Sequence, residues 1–146
     1  MEMLIVFGII LLLLGLTAVF SNQTLKNVEF NKVRETARNE LMAAQADTMA
    51  GTSDSAWGVK FSANGITRYK QWSATGTGYT YRDTAFDQTT SFANGVTITG
   101  MSGVTDIPFL RPRGFPSVTS TVTLRISDGT NTATTTINTI GAITTQ

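Results

Sequence analysis

The 146-residue chain has no cysteine, no histidine and only three prolines. Without cysteine, disulfides and thiolate chemistry are excluded. Life outside the cytoplasm is not, because many exported proteins carry no disulfide. Without histidine, the commonest general base and the commonest transition-metal ligand are missing together. Charge is scarce as well: 14% of residues are charged and the net charge is +1. No strong field therefore points to a polyanionic partner. Asp83, Asp87 and Asp106 do not have the spacing of a calcium loop, and no nucleophile–base pair stands out. We expect neither an enzyme nor a bound metal or other cofactor.

What the chain does have is one long apolar run. Residues 3–20 are eighteen positions without a charged side chain, and Glu2 stands directly in front of them. As a helix the run would measure about 27 Å, near the thickness of a bilayer's hydrocarbon core. A cleavable secretory signal would begin with positive charge, have a shorter apolar core and end in a small-residue cleavage site. None of the three criteria is met, so the run is expected to persist in the working protein.

From residue 22 to 50 the sequence is helix-compatible, with no glycine or proline. Leu25, Val28, Val33, Ala37, Leu41 and Ala44 follow at spacings of three to five, which predicts one apolar helix face. Lys26, Lys32, Arg34, Arg38, Glu35 and Glu40 decorate the remainder, and Arg34 with Arg38 is a like-charge pair that lends no i,i+4 support. Gly51 supplies a stop signal. Joined end to end, the two halves would form a helix of about 75 Å. Its first half would be apolar all round and its second half on one side only.

After Gly51 the period drops toward two. Trp57, Val59 and Phe61 alternate with Gly58 and Lys60, as in a half-buried strand. Asn64-Gly65 is a hairpin signal, but a two-residue loop there would set Phe61 opposite Arg68, so we expect a bulge or a longer turn. Asn94-Gly95 precedes another short strand at 96–98. Val122, Leu124 and Ile126 alternate, Asp128-Gly129 turns the chain before 133–137, and Gly141 separates that strand from Ile143. Residues 75–91 alternate weakly and read as a loop or an edge strand. The late enrichment in threonine fits exposed strand faces.

These residues resemble a known family. A glutamate followed by Met-Leu-Ile-Val and a long apolar helix is similar to the N-terminal region of type IV pilins and type II secretion pseudopilins. The head resembles the GspH/FimT group of minor pilins. Trp57-Gly58-Val59-Lys60-Phe61-Ser62 with Asn64-Gly65 carries that likeness. So do Ile107-Pro108-Phe109, Arg113-Gly114, the 122–126 strand and residues 137–143 with Gly141. The resemblance implies an α+β ladle: an apolar helix at 1–21, an amphipathic continuation at 22–51, and an antiparallel β head at 52–146. It places Met1 just before the family's glutamate, with the leader and its cleavage site outside this sequence. The proline that often breaks the helix after the apolar run is absent here. Gly15 alone lowers helix propensity by about 1 kcal/mol relative to alanine, too little to unwind the stem.

The resemblance also implies roles. Glu2 would pair with the α-amino group of a neighbouring subunit and set axial register, since a charge stranded in an apolar core costs several kcal/mol. An interfacial carboxylate among lipid headgroups is the alternative. Gly8 and Gly15, seven apart, could let stems approach closely or could simply be tolerated in a membrane helix. The implied partners are copies of this chain and other pilins in a filament, the inner membrane before assembly, and assembly-platform proteins. The implied location is a single-pass membrane protein that becomes an extracellular or periplasmic filament. Some FimT-type relatives bind DNA near the C-terminus, yet this chain has no Lys or Arg after Arg125. Arg68, Lys70, Arg111 and Arg113 are the candidate phosphate contacts; ordinary surface charge is the alternative, favoured by the small net charge. A single-span membrane-anchored binding or adhesion protein is the competing reading of the whole chain.

Overall fold

The computed structural model describes residues 2–72, 76–92, 95–101, 104–118 and 121–146, with backbone alone at 2, 4, 16–23 and 99–101. One helix, α1, runs Glu2–Ala50. Nine strands follow: β1 Trp57–Ser62, β2 Gly65–Gln71, β3 Arg82–Ser91, β4 Thr97–Met101, β5 Asp106–Leu110, β6 Phe115–Pro116, β7 Val122–Ser127, β8 Thr132–Ile137 and β9 Ile143–Thr145. They form two antiparallel sheets, ordered β3-β2-β1-β5-β6 and β4-β7-β8-β9. The chain is thus α+β, with the N-terminal helix packed on antiparallel sheets. Among the described residues, no helix segment is long and apolar enough to cross a membrane.

The helix touches β1, β2 and β5 of one sheet and β7, β8 and β9 of the other. Its buried stripe is Phe30, Val33, Ala37, Leu41, Ala44 and Thr48, at steps of three and four. Leu25 and Val28, expected on that stripe, are instead 60% and 59% exposed. The step of five from Val28 to Val33 turns the helix by about 140°, which carries Val28 away from the head. Phe30 fills the place that the spacing had assigned to it. The helix stops at Gly51, which takes a φ of 65° and donates its N–H to Thr48 O at 3.2 Å.

Between helix and sheets lies one core. Trp57, Val59, Phe61, Ile66, Ile107 and Phe109 come from the first sheet. Ile98, Val122, Leu124, Ile126, Ala133 and Ile137 come from the second. Every one obeys the alternation that a half-buried strand imposes. The first hairpin corrects an expectation: Phe61 faces Ile66 and Ser62 faces Gly65, so Ala63 and Asn64 form the loop and the β1–β2 register is unbroken. Moving the turn back by one residue puts apolar against apolar, which the Asn64-Gly65 placement could not do. The irregularity falls one strand further on, where residues 84–87 of β3 face Tyr69 alone. β3 is the edge strand that 75–91 left open as one possibility. The expected Asn94-Gly95 turn lies partly outside the described residues, because Asn94 is not among them.

The reverse face of the first sheet is closed by a polar network. Tyr69 and Gln71 are buried there. Gln71 Nε2 donates to Trp57 O (3.2 Å) and Phe109 O (3.3 Å), while its Oε1 accepts Gly78 N–H at 3.3 Å. Asp106 Oδ2 accepts Tyr79 N–H at 2.9 Å and the Tyr69 hydroxyl at 3.4 Å. The Tyr79 ring stands edge-on to Tyr69 at 5.3 Å, with the Arg82 guanidinium 3.8 Å and the Lys60 ammonium 4.6 Å from its centre. A Cβ at residue 58 would lie 2.5 Å from the Tyr69 ring, so Gly58 is the residue that lets the phenol lie flat on β1.

Two predictions follow from this packing. Thr48 is buried; its hydroxyl donates to Ala44 O at 2.8 Å and accepts Trp57 N–H at 2.9 Å. Thr48→Val keeps the shape but strands that amide, so urea denaturation is expected to register a loss of about 1–3 kcal/mol. The second concerns Tyr69, whose phenol pKa is raised above its ordinary value of 10.0 by burial first and by the Asp106 carboxylate second. An acid held neutral in the fold but free to ionise once unfolded stabilises fully below about pH 10, and that contribution is lost as pH rises from there. Stability measured from neutral to alkaline pH should therefore decline less steeply in Tyr69→Phe than in the parent; identical slopes would refute the assignment.

Candidate functional site

Two sets of residues carry the functional expectations, one on the N-terminal part of α1 and one on the head. On the helix, Met3, Ile5, Val6, Phe7 and Ile9 through Leu14 are between 48% and 88% exposed. Monomeric soluble chains seldom display so large a contiguous apolar surface. Gly8 and Gly15 belong to this stretch, and a Cβ at either would meet nothing within 4 Å. Neither glycine is therefore needed for packing within the chain's described part. Glu2 is helical, while the position of its carboxylate lies outside the described residues. Apolar exposure continues along the outward side of the helix at Val28, Met42 and Met49.

Two grooves flank the helix where it meets the head. One, of about 290 Å³, runs between Glu29, Lys32 and Thr36 and the end of β3 at Thr90 and Ser91. The other, of about 470 Å³, runs between Arg34 and Arg38 and the last strand, β9, at Ile143 to Thr145. Glu35 sits between the two arginines, 3.6 Å from Arg34 and 3.9 Å from Arg38. These exposed contacts contribute little to stability.

The basic candidates on the head are not one patch of free cations. Arg68 projects from β2 toward the helix, with its side chain 17% exposed. Its Nε lies 3.3 Å from Glu40 Oε2 and its Nη1 2.7 Å from Asp47 Oδ2. It also donates to Gln88 Oε1 on β3, and its guanidinium stands 5.7 Å from the Trp57 ring centre. The charge is thus balanced by two helix carboxylates: Nη1 is hydrogen-bonded to Asp47, while the Glu40 contact is an ion pair without a hydrogen bond. Lys70, two residues on and on the same face, holds its ammonium 4.2 Å from the Phe86 ring centre. Arg111 bonds Asp54 Oδ1 at 2.8 Å just beyond the end of α1, and Arg113 sits exposed on the same turn.

Sequence reasoning named Arg68 but not its partners. The signal was present: Glu40 and Asp47 are seven apart, which returns a helix to within about 20° of the same side. Which strand would face that side was not readable. Among the described residues, no group of three or more Asp or Glu side chains is placed to hold a metal ion.

Arg68→Ala would leave Glu40 and Asp47 facing the sheet without a countercharge. We expect a loss of about 1–3 kcal/mol in denaturant unfolding, below the cost of a fully buried pair because both carboxylates are partly wet. Arg68→Lys should restore less than half, since a lone ammonium lacks the planar guanidinium that bonds Asp47 and Gln88 together. Parent-like stability in Arg68→Ala would overturn the structural role.

No protein-family model, no curated protein and no solved structure matches this chain.

Proposed function

We propose that the chain is a structural subunit of a helical filament of the type IV pilus or type II secretion pseudopilus kind, assembled through its N-terminal helix. The observation that carries this reading is the row of exposed apolar side chains from Met3 to Leu14. Full burial of one such side chain is worth about 1.5–3 kcal/mol, so a chain that leaves the row in water forgoes a large stabilisation. A bilayer would cover the row before assembly and neighbouring helices would cover it afterwards. An apolar stem on a β head would give the subunit the shape of a ladle.

In the filament, Glu2 sets axial register by pairing with the α-amino group of a neighbouring subunit, because a misplaced stem would leave both charges unpaired in an apolar core. Gly8 and Gly15 offer open helix surface where another backbone can approach. The partners are other copies of the chain, further pilin-like subunits, the inner membrane and an assembly platform; the finished filament lies outside that membrane. The role is mechanical, not catalytic. Nucleic-acid binding through Arg68 is disfavoured by its engagement with Glu40 and Asp47.

Electron microscopy of cells expressing Glu2→Ala, alongside membrane fractionation, tests the pairing. The variant is expected to enter the membrane as the parent does and to yield few or no filaments. Filaments of normal number and length in Glu2→Ala would sink the register role. A parent chain that inserts but never polymerises would favour the single-span binding protein instead.

A further inference from the structure

The chain's two tryptophans are placed in opposite ways. Trp57 is buried, with its indole N–H donating to Thr52 O at 3.2 Å. Trp72 is 60% exposed, an unusual fate for the side chain that gains most from burial. It stands on the rim of a cleft of about 200 Å³ lined by Ser55, Lys70, Gln71, Trp72 and Asp83. Strand geometry explains the grouping. Lys70 and Trp72 are two apart in the chain and share a face, and Asp83 on β3 is the cross-strand partner of Lys70. Lys70 is held by the Phe86 ring, 4.2 Å away, and Asp83 uses Oδ1 to accept Ala85 N–H at 3.2 Å. Trp72 N–H donates to Tyr81 O at 2.7 Å, which fixes the backbone beneath the indole. The rim therefore offers a broad apolar plate just past the end of β2, one ammonium on β2 and one carboxylate on β3.

We infer that this cleft binds one ring of a neutral, polyhydroxylated ligand, a hexopyranose unit of a glycan. Its volume is below the roughly 300–1,000 Å³ of clefts that hold drug-sized ligands, and it suits a single ring. The face of a pyranose that carries axial C–H groups is apolar and lies flat on an indole, which uses the plate without asking for charge. Asp83 accepts from ring hydroxyls, and Lys70 donates to a neighbouring oxygen. The opposed charges decide the ligand's own charge. A phosphate or nucleotide drawn by Lys70 would meet Asp83 at once, and the nearest other cation on that face, Arg68, is taken by Glu40 and Asp47. An uncharged polyol satisfies both groups together. The inference stands apart from filament assembly, since neither Trp72 nor Asp83 lies on the helix.

The test is isothermal titration of the full chain with methyl α-glycosides of glucose, galactose and mannose, in a sugar-free amine-oxide detergent, with tryptophan fluorescence in parallel. At least one glycoside is expected to bind saturably and to shift the emission of the exposed indole. Trp72→Ala and Asp83→Asn should each weaken that binding by about tenfold or more, the loss of one good contact. Both positions lie outside the core, and far-ultraviolet circular dichroism would verify that each variant is folded. Thr67→Ala, on the opposite face of β2, should bind as the parent does. Failure of all three glycosides to bind the parent, or undiminished binding in a folded Trp72→Ala, would overturn the inference.

Discussion

Ala37, Leu41 and Ala44 are buried without residual exposure at the centre of the stripe that α1 presents to the head. Two alanines flanking one leucine bring the helix backbone close to both sheets, and interiors so packed respond to the addition of even a single methylene. The two sheets do not enclose the core unaided; the helix is its third wall. Cover for Val59, Phe61 and Ile107 on one side and for Leu124, Ile126 and Ile137 on the other therefore depends on where this helix sits. Arg68 holds it from the side and Thr48 holds its last turns to the first strand. Gln45, on the other flank of the stripe from Glu40 and Asp47, reaches Gly114 O and Gly141 O at 3.2 and 3.3 Å.

The two sheets are treated differently on their outer faces. The first is closed by Tyr69, Gln71, Tyr79 and Asp106, where each buried polar group has a partner as burial demands. The second carries threonines on its outer face, whose hydroxyls bond one another across the strands, as between Thr136 and Thr144. The face of the first sheet that carries Arg68 is thus turned inward to Glu40 and Asp47 of the helix, and the hydroxyl-rich face of the second sheet is turned to solvent. The cleft at Trp72 lies at the end of β2 beside β3, where Trp72 N–H bonds Tyr81 O and the indole is left exposed.

One helix carries two environments in a single rod. Within the head the stripe from Phe30 to Thr48 faces the core and polar side chains line grooves beside it; toward Glu2 the described apolar side chains are exposed. On the N-terminal side of the buried stripe, Asn131 Nδ2 donates to Asn27 Oδ1 at 3.1 Å and ties the head to the helix. Left exposed, the side chains of Met3, Ile5, Val6, Phe7 and Ile9 to Leu13 contribute little to stability within the described part of the chain. The proposed filament would bury them.

Local chemistry alone was enough to determine several things. The helix between the apolar run and Gly51 is one, because periodicity and a glycine stop act within a few residues. The strands at 57–62, 122–127 and 132–137 are others, because alternation is a property of one strand by itself. What needed the tertiary structure were the relations between elements. The hairpin at Ala63-Asn64 was placed one residue late from its Asn-Gly signal, since the apolar match of Phe61 with Ile66 overrules turn preference. Val28 and Leu25 were assigned to a face that belongs to Phe30, since the step of five from Val28 to Val33 turns both away from the head. Arg68 could be named as a basic residue, but its charge was cancelled by Glu40 and Asp47, residues more than twenty positions away in the chain. Lys70, Trp72 and Asp83 meet only because β2 and β3 pair around the irregularity at Tyr69. Spacing along a chain dictates which side a residue faces; what stands on that side is decided by the packing of distant segments, where burial of apolar area outweighs any local preference.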